Sequence, residues 1–203
     1  MTGHARNLMT ANAFYAWLAD QEDGKFELVG GEPRMLAGAN RRHDRIAVNA
    51  LGLLGNALVG HSCQPFTSNI HIRIPNGNLR HADVGVECGR PPDDSMEADC
   101  PFLVMEILSP RVPAFDRNDK LEEYKSIEPL GYILLVDPDY PQVRLYSRDR
   151  VGPWTSQRLE GLEAVIAFEK LPVRLLLSEL YDRLEFRPRP MLVDPNGQSK
   201  FGI

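Results

Sequence analysis

Three short stretches of this chain hold residues that could do chemistry together. They are Asp83 in HADVGVE, Glu106 in FLVMEILSP, and Lys120 with Tyr124 in DRNDKLEEYKSI. Glu106 is the most informative, because it stands inside an apolar run. An unpartnered carboxylate there is costly to bury or shifts its pKa, so it requires a metal, a cation or a hydrogen-bond donor. Two carboxylates on neighbouring strands, with a lysine on the next helix, can hold a divalent cation and attack a phosphodiester. Mg²⁺ takes hard oxygen ligands and keeps several of its waters, so Asp83, Glu106 and the backbone carbonyl of Ile107 would suffice. The ion would polarise the phosphate and lower the pKa of a bound water. Lys120 could orient that water and offset developing charge, with Tyr124 as a further hydrogen-bond donor.

The same residues have plainer readings. Asp83 could be an ordinary strand-end acid, and Tyr124 a core residue. Asp116, Lys120 and Tyr124 are spaced i, i+4, i+8 and project from one helix face. Asp116 with Lys120 could then be a surface ion pair worth about 0.3–0.5 kcal/mol. Glu106 could be a buried partner of Lys120 with no metal at all.

The elements that must position these groups are legible from periodicity. Phe14, Trp17 and Leu18 predict a helix over residues 11–20, and KFELVGGEPRMLAG predicts a hairpin turning at Gly30-Gly31. Ile46, Leu51, Leu54 and Leu58 predict a helix from Arg42 to Val59, closed by Gly60; Gly52 and Gly55 weaken it or mark a close approach. CQPFTS, IHIRIP and HADVGVECG read as strands, IHIRIP with His71 and Arg73 on a polar face. RPPDDSMEADCP reads as a loop and FLVMEILS as a buried strand stopped by Pro110. A helix over Asp116–Ile127 and the strands YILLVD and VRLYSR follow, then shorter strands and a turn of helix at LSELYD. In HADVGVE, alternation puts His81, Asp83, Gly85 and Glu87 on one face; Glu106 shares its face with Val104 and Leu108. This order predicts an α/β (α+β) mixed sheet flanked by helices, with Asp83 and Glu106 on adjacent strands. One domain over residues 1–185 is expected, with a tail over 186–203.

Composition narrows the classes. At 203 residues the chain can bury a core without staples, and no apolar run reaches the ~20 residues of a membrane helix. The N-terminus lacks the pattern of a secretion signal, so a cytoplasmic protein is expected, with Cys63, Cys88 and Cys100 reduced. His61, His71 and His81 are too widely spaced for a structural zinc site. The net charge of −5 argues against a broad basic nucleic-acid face, although Arg41, Arg42, His43 and Arg45 cluster. A bound Mg²⁺ would supply positive charge that the side chains lack.

Taken in order, KFELVGGEP, the helix opening at His43, ADVGVECG, LVMEILSP, FDRNDKLEEY and GYILLVDPD resemble the Uma family, a restriction-endonuclease-like branch of the PD-(D/E)XK nuclease superfamily. The resemblance spans roughly Phe14 to Tyr181. It implies a metal-dependent endonuclease acting on DNA, with Asp83 and Glu106 as ligands of Mg²⁺ or Mn²⁺. It implies that Lys120 replaces the lysine which the wider superfamily carries two positions after the glutamate, where this chain has Leu108. It implies supporting roles for Glu27, in the first hairpin, and for His43. Two departures bear on the placement of Asp83: Ala82 stands where the family usually has proline, and Gly30-Gly31 where an Asp-Gly turn is common. The alternatives are a catalytically silent nucleic-acid-binding or assembly module of the same fold, and a hydrolase of another phosphate ester. A homodimer is expected of a nuclease that cuts both strands of a duplex.

Overall fold

The computed structural model describes residues 8–36, 38–109, 114–149 and 152–186. The expected tail, apart from Phe186, and Pro110 lie outside them. The elements begin with α1 (Ala11–Leu18), the hairpin β1 (Phe26–Val29) and β2 (Glu32–Met35), and α2 (Arg41–Ala57). Four strands follow: β3 (Cys63–Thr67), β4 (Ile72–Arg73), β5 (Leu79–Arg80) and β6 (Val84–Cys88). Next come β7 (Pro101–Ile107), α3 (Ala114–Lys125), β8 (Tyr132–Asp137), β9 (Gln142–Ser147) and β10 (Thr155–Glu160). The last are β11 (Val165–Ala167), β12 (Arg174–Leu176) and α4 (Leu177–Leu180).

Six strands form the main sheet, in the order β10-β9-β8-β7-β6-β3. Among the described residues its only parallel strand pair is β7–β8, which is why the connection between them must cross over, and α3 lies in that crossover. On β7, Leu103, Met105 and Ile107 face a core that includes Ile46, Ala50 and Leu54 of α2. Val104 faces the opposite core, with Tyr124 of α3. Period-two alternation therefore sends Glu106 toward α3, on the Val104 side. A second sheet, β2-β1-β5-β4, packs Phe26, Leu28 and Leu79 around Phe14 of α1.

Local chemistry explains the two elements nearest the site. Gly30 and Gly31 have φ of 59° and 78°, the pair of left-handed residues that a two-residue hairpin turn requires. Asn40 caps α2, its Oδ1 accepting from the His43 amide at 3.0 Å. Nothing lies within 4 Å of a side chain built at Gly52, and only the Pro65 ring is that near at Gly55, so neither glycine marks a close approach.

Three expectations are corrected. The ladder in IHIRIP covers only Ile72–Arg73, and His71 is 2% exposed rather than on a solvated face, because its ring packs against His81 and lies 3.2 Å from the Phe26 carbonyl. The strand in HADVGVECG begins at Val84, so Asp83 stands just before it. Cys63 and Cys88 are not reduced: they sit opposite each other in the β3–β6 register and form a disulfide, leaving Cys100 free.

Candidate functional site

Val84 pairs with Met105 in the antiparallel register, so the next residue out on each chain brings Asp83 level with Glu106. The Ile107 amide donates to Asp83 Oδ2 at 2.7 Å, and His43 Nε2 lies 3.1 Å from the same oxygen. Asp83 is thus held from one side by the strand that carries Glu106 and from the other by α2. Ile107 presents its amide nitrogen to Asp83 in this arrangement.

Glu106 Oε1 accepts from the Tyr124 hydroxyl at 2.7 Å and lies 3.0 Å from Lys120 Nζ. Lys120 also donates to the His81 carbonyl at 2.7 Å and faces Glu27 Oε1 at 3.2 Å. The i, i+4 spacing on α3 therefore delivers Lys120 and Tyr124 to one carboxylate. Asp116 does not join them; it faces Arg34 at 3.8 Å, on the exposed side.

The electrostatics follow from burial and these partners. Burial pushes the Glu106 carboxyl up to about 7; Lys120 opposes the rise and Asp83 adds to it. Burial works against the Lys120 ammonium, but Glu106 and Glu27 together hold it charged, with its pKa raised. Burial likewise opposes the charge on Glu27, yet Lys120, the His81 amide and Arg80 keep that carboxyl below its usual range. Desolvation is the largest single influence on His43 and lowers it, but the hydrogen bond to Asp83 and the charges of Asp83, Glu106 and Asp44 together outweigh it, so its pKa is raised.

Asp83, Glu106, His43 and Lys120 line one cleft of about 660 Å³, together with Asn40, Ile107, Leu108 and Ser109. Glu27 and Tyr124 stand behind it. Both oxygens of Glu27 are engaged: Oε1 by the His81 amide at 3.0 Å and by Lys120, Oε2 by Arg80 Nη1 at 2.9 Å. Sequence reasoning missed Arg80, Glu123 and Asn78. Arg80 Nε donates to Glu123 Oε2 at 2.5 Å, and Asn78 Nδ2 donates to Glu123 Oε1 at 2.5 Å. Asn78 Oδ1 in turn accepts from the Gly30 amide at 2.8 Å in the hairpin turn. Arg80 carried one available signal, a charge directly after the apolar Leu79 and three residues before Asp83.

Among the described residues, no group of three or more His, Cys, Asp or Glu side chains is arranged to hold a metal ion. What the cleft offers is two carboxylates at the ends of adjacent strands. Among the described residues, the bonds above engage Asp83 through Oδ2 and Glu106 through Oε1. That donor set suits a hard divalent cation that retains most of its waters.

A mixed sheet with two carboxylates at neighbouring strand ends and a helix-borne lysine is a restriction-endonuclease-like architecture. The chain belongs to the Uma2 family, described as "Putative restriction endonuclease", which matches residues 11–178. Two uncharacterized proteins of Synechocystis sp. are similar over most of their length. The chain is 30% identical to slr1290 over 160 residues, 75% of this chain and 84% of that protein. It is 28% identical to sll1609 over 170 residues, 82% and 96% of the two. The crystal structure of "a putative nuclease belonging to DUF820" from Anabaena variabilis superposes with a TM-score of 0.67 at 16% identity, covering 85% of this chain and 97% of that one. At that identity the likeness is one of fold. No helix among the described residues is long and apolar enough to cross a membrane.

Proposed function

We propose that this protein is a divalent-metal-dependent endonuclease that hydrolyses DNA phosphodiester bonds, with Asp83 and Glu106 as the ligands of Mg²⁺ or Mn²⁺. The observation that carries the reading is the convergence of Asp83, Glu106 and Lys120 on one cleft, from the residue before β6, from β7 and from α3. A carboxyl raised to about 7 by burial is one that a cation would favour in its ionised form. The bound ion supplies the Lewis acidity that polarises the phosphate and acidifies a water.

The chain's own residues do the rest. His43 and the Ile107 amide both hold Asp83 Oδ2, which fixes the orientation of its carboxylate at the cleft. Lys120 keeps a full positive charge beside Glu106, where it can stabilise a phosphate oxyanion. Tyr124 orients Glu106 through its hydroxyl. Glu27 supports the site from behind through Lys120. A homodimer would present two such clefts to the two strands of a duplex.

One observation favours the silent-module reading: Lys120 already neutralises Glu106, while Leu108 occupies the strand position two after it. Incubating plasmid and single-stranded DNA with Mg²⁺ or Mn²⁺ separates the two. Cutting by wild type and none by Glu106→Gln is the expected result; equal cutting by both proteins sinks the assignment.

A further inference from the structure

Glu27 is buried, 4% exposed, and is not part of the cleft wall. Its carboxylate accepts from the His81 amide, from Arg80 and from Lys120, which leaves neither oxygen for an ion. Arg80 cannot release it easily. Its side chain is 8% exposed and its guanidinium is shared between Glu27 and Glu123. Glu123 is itself held by Asn78, which also binds the hairpin turn at Gly30. The carboxylate of Glu27 is therefore anchored to β1, β5 and α3 at once.

Lys120 stands between this fixed carboxylate and the mobile demand of the cleft. An ammonium has three donors, and here they face three acceptors: Glu106 Oε1 at 3.0 Å, Glu27 Oε1 at 3.2 Å and the His81 carbonyl at 2.7 Å. A divalent cation held at Glu106 would repel the ammonium and weaken its hold on that acceptor. The other two remain. Resting on the metal reading above, we infer that Glu27, locked by Arg80, is a positioning residue whose task is to retain Lys120 in the site when a divalent cation occupies Glu106. Glu27 acts on the ion through Lys120 and is not a ligand.

The arrangement makes Lys120 a competitor of the ion and Glu27 the group that moderates the competition. Without Lys120, the ion meets no resident cation. Without Glu27, the ammonium keeps Glu106 and the neutral His81 carbonyl, and less of its charge is compensated beside the ion. A full charge a few ångströms from a cation changes affinity by about tenfold or more at the dielectric of a partly buried site.

The test is calorimetric titration of the full chain with Mg²⁺ and with Mn²⁺, without DNA, on wild type, Glu27→Gln, Lys120→Met and the double variant. Lys120→Met should bind about tenfold or more tighter and Glu27→Gln about tenfold more weakly. In the Lys120→Met background the Glu27→Gln effect should largely vanish, a coupling that a merely structural role would not produce. Far-UV circular dichroism checks folding; Lys120→Gln, which removes the charge and retains a polar donor, substitutes if Lys120→Met does not fold. An equal loss from Glu27→Gln with and without Lys120 would make Glu27 act on the ion directly and overturn the inference, while leaving the metal reading standing. No binding by wild type or by Lys120→Met at millimolar ion would bring down the metal reading and this inference with it.

Discussion

The backbone amide of Ile107 donates to Asp83 Oδ2 at 2.7 Å, so the residue that follows Glu106 along its strand fixes the second carboxylate of the site. The spacing of the two acids is therefore set by sheet register, which packing of the core strands makes rigid, and not by loop conformation. Four predictions follow from the network around that pair.

Divalent metal should stabilise the fold. At one hundred times its Kd, a ligand that binds only the native state adds about 2.7 kcal/mol. Thermal melting with Mg²⁺ or Mn²⁺ against EDTA should show the rise in wild type and its loss in Asp83→Asn and in Glu106→Gln. A rise that survives in both variants would move the ion elsewhere.

Removing Arg80 should cost more than any single group in the cleft. Arg80→Met strips the shared guanidinium from the buried Glu27 and the part-buried Glu123. Breaking a buried pair from one side costs about 3–5 kcal/mol. Chemical denaturation should report a loss of that order; a loss under about 1 kcal/mol, the scale of an exposed pair, would mean the network is dispensable.

His43 should stabilise the protein most in mild acid. Its folded pKa lies above the free value, because the hydrogen bond to Asp83 and the charges of Asp83, Glu106 and Asp44 together overcome the larger single effect of desolvation. Its contribution is complete below about pH 6.5 and disappears as pH rises through the raised folded value. His43→Asn should therefore lower Tm more near pH 6 than near pH 8.5. Equal losses at both would show that the histidine acts by packing alone.

The stacked pair His71 and His81 should act in the opposite sense. Their ring centroids are 4.0 Å apart, both Nε2 atoms lie within 3.2 Å of the Phe26 carbonyl, and both rings are buried. Desolvation, and for His81 the neighbouring His71, depresses both, His81 to about 4. The unfolded chain thus takes up protons that the native state refuses, and stability falls as pH drops from about 6.5 to about 4. For His81 the slope approaches about 1.4 kcal/mol per pH unit, and His71 acts in the same direction. Denaturation curves across that window should be steeper for wild type than for His81→Asn; superimposable curves would remove the pair as the cause.

Much of the site could be read from the chain. Glu106 announced itself because a carboxylate in an apolar run must be compensated, and Lys120 and Tyr124 were paired with it because helical spacing fixes which residues share a face. The hairpin at Gly30-Gly31 and the strand containing Glu106 were legible for the same reason, that turn chemistry and alternation act over a few residues. Spacing along α3 placed Asp116 on the face of Lys120 and Tyr124, whereas its side chain turns to Arg34, because i to i+8 drifts well round the helix. Nor did the sequence supply a reason to bury His71, whose alternation with Ile70 and Ile72 suggested a solvated face.

What only the tertiary structure decided are the partnerships across long separations. Arg80 reaches Glu27 across 53 residues and Glu123 across 43, and Cys63 meets Cys88 because β3 lies against β6. Periodicity reports which face of an element is covered; it does not report by what. A charge is satisfied by whichever group the packed sheets bring within hydrogen-bond reach, and that is a property of the assembled core. The residue types therefore determined that a buried acid needed a cation, and the fold decided that Lys120 would be shared between Glu106 and Glu27.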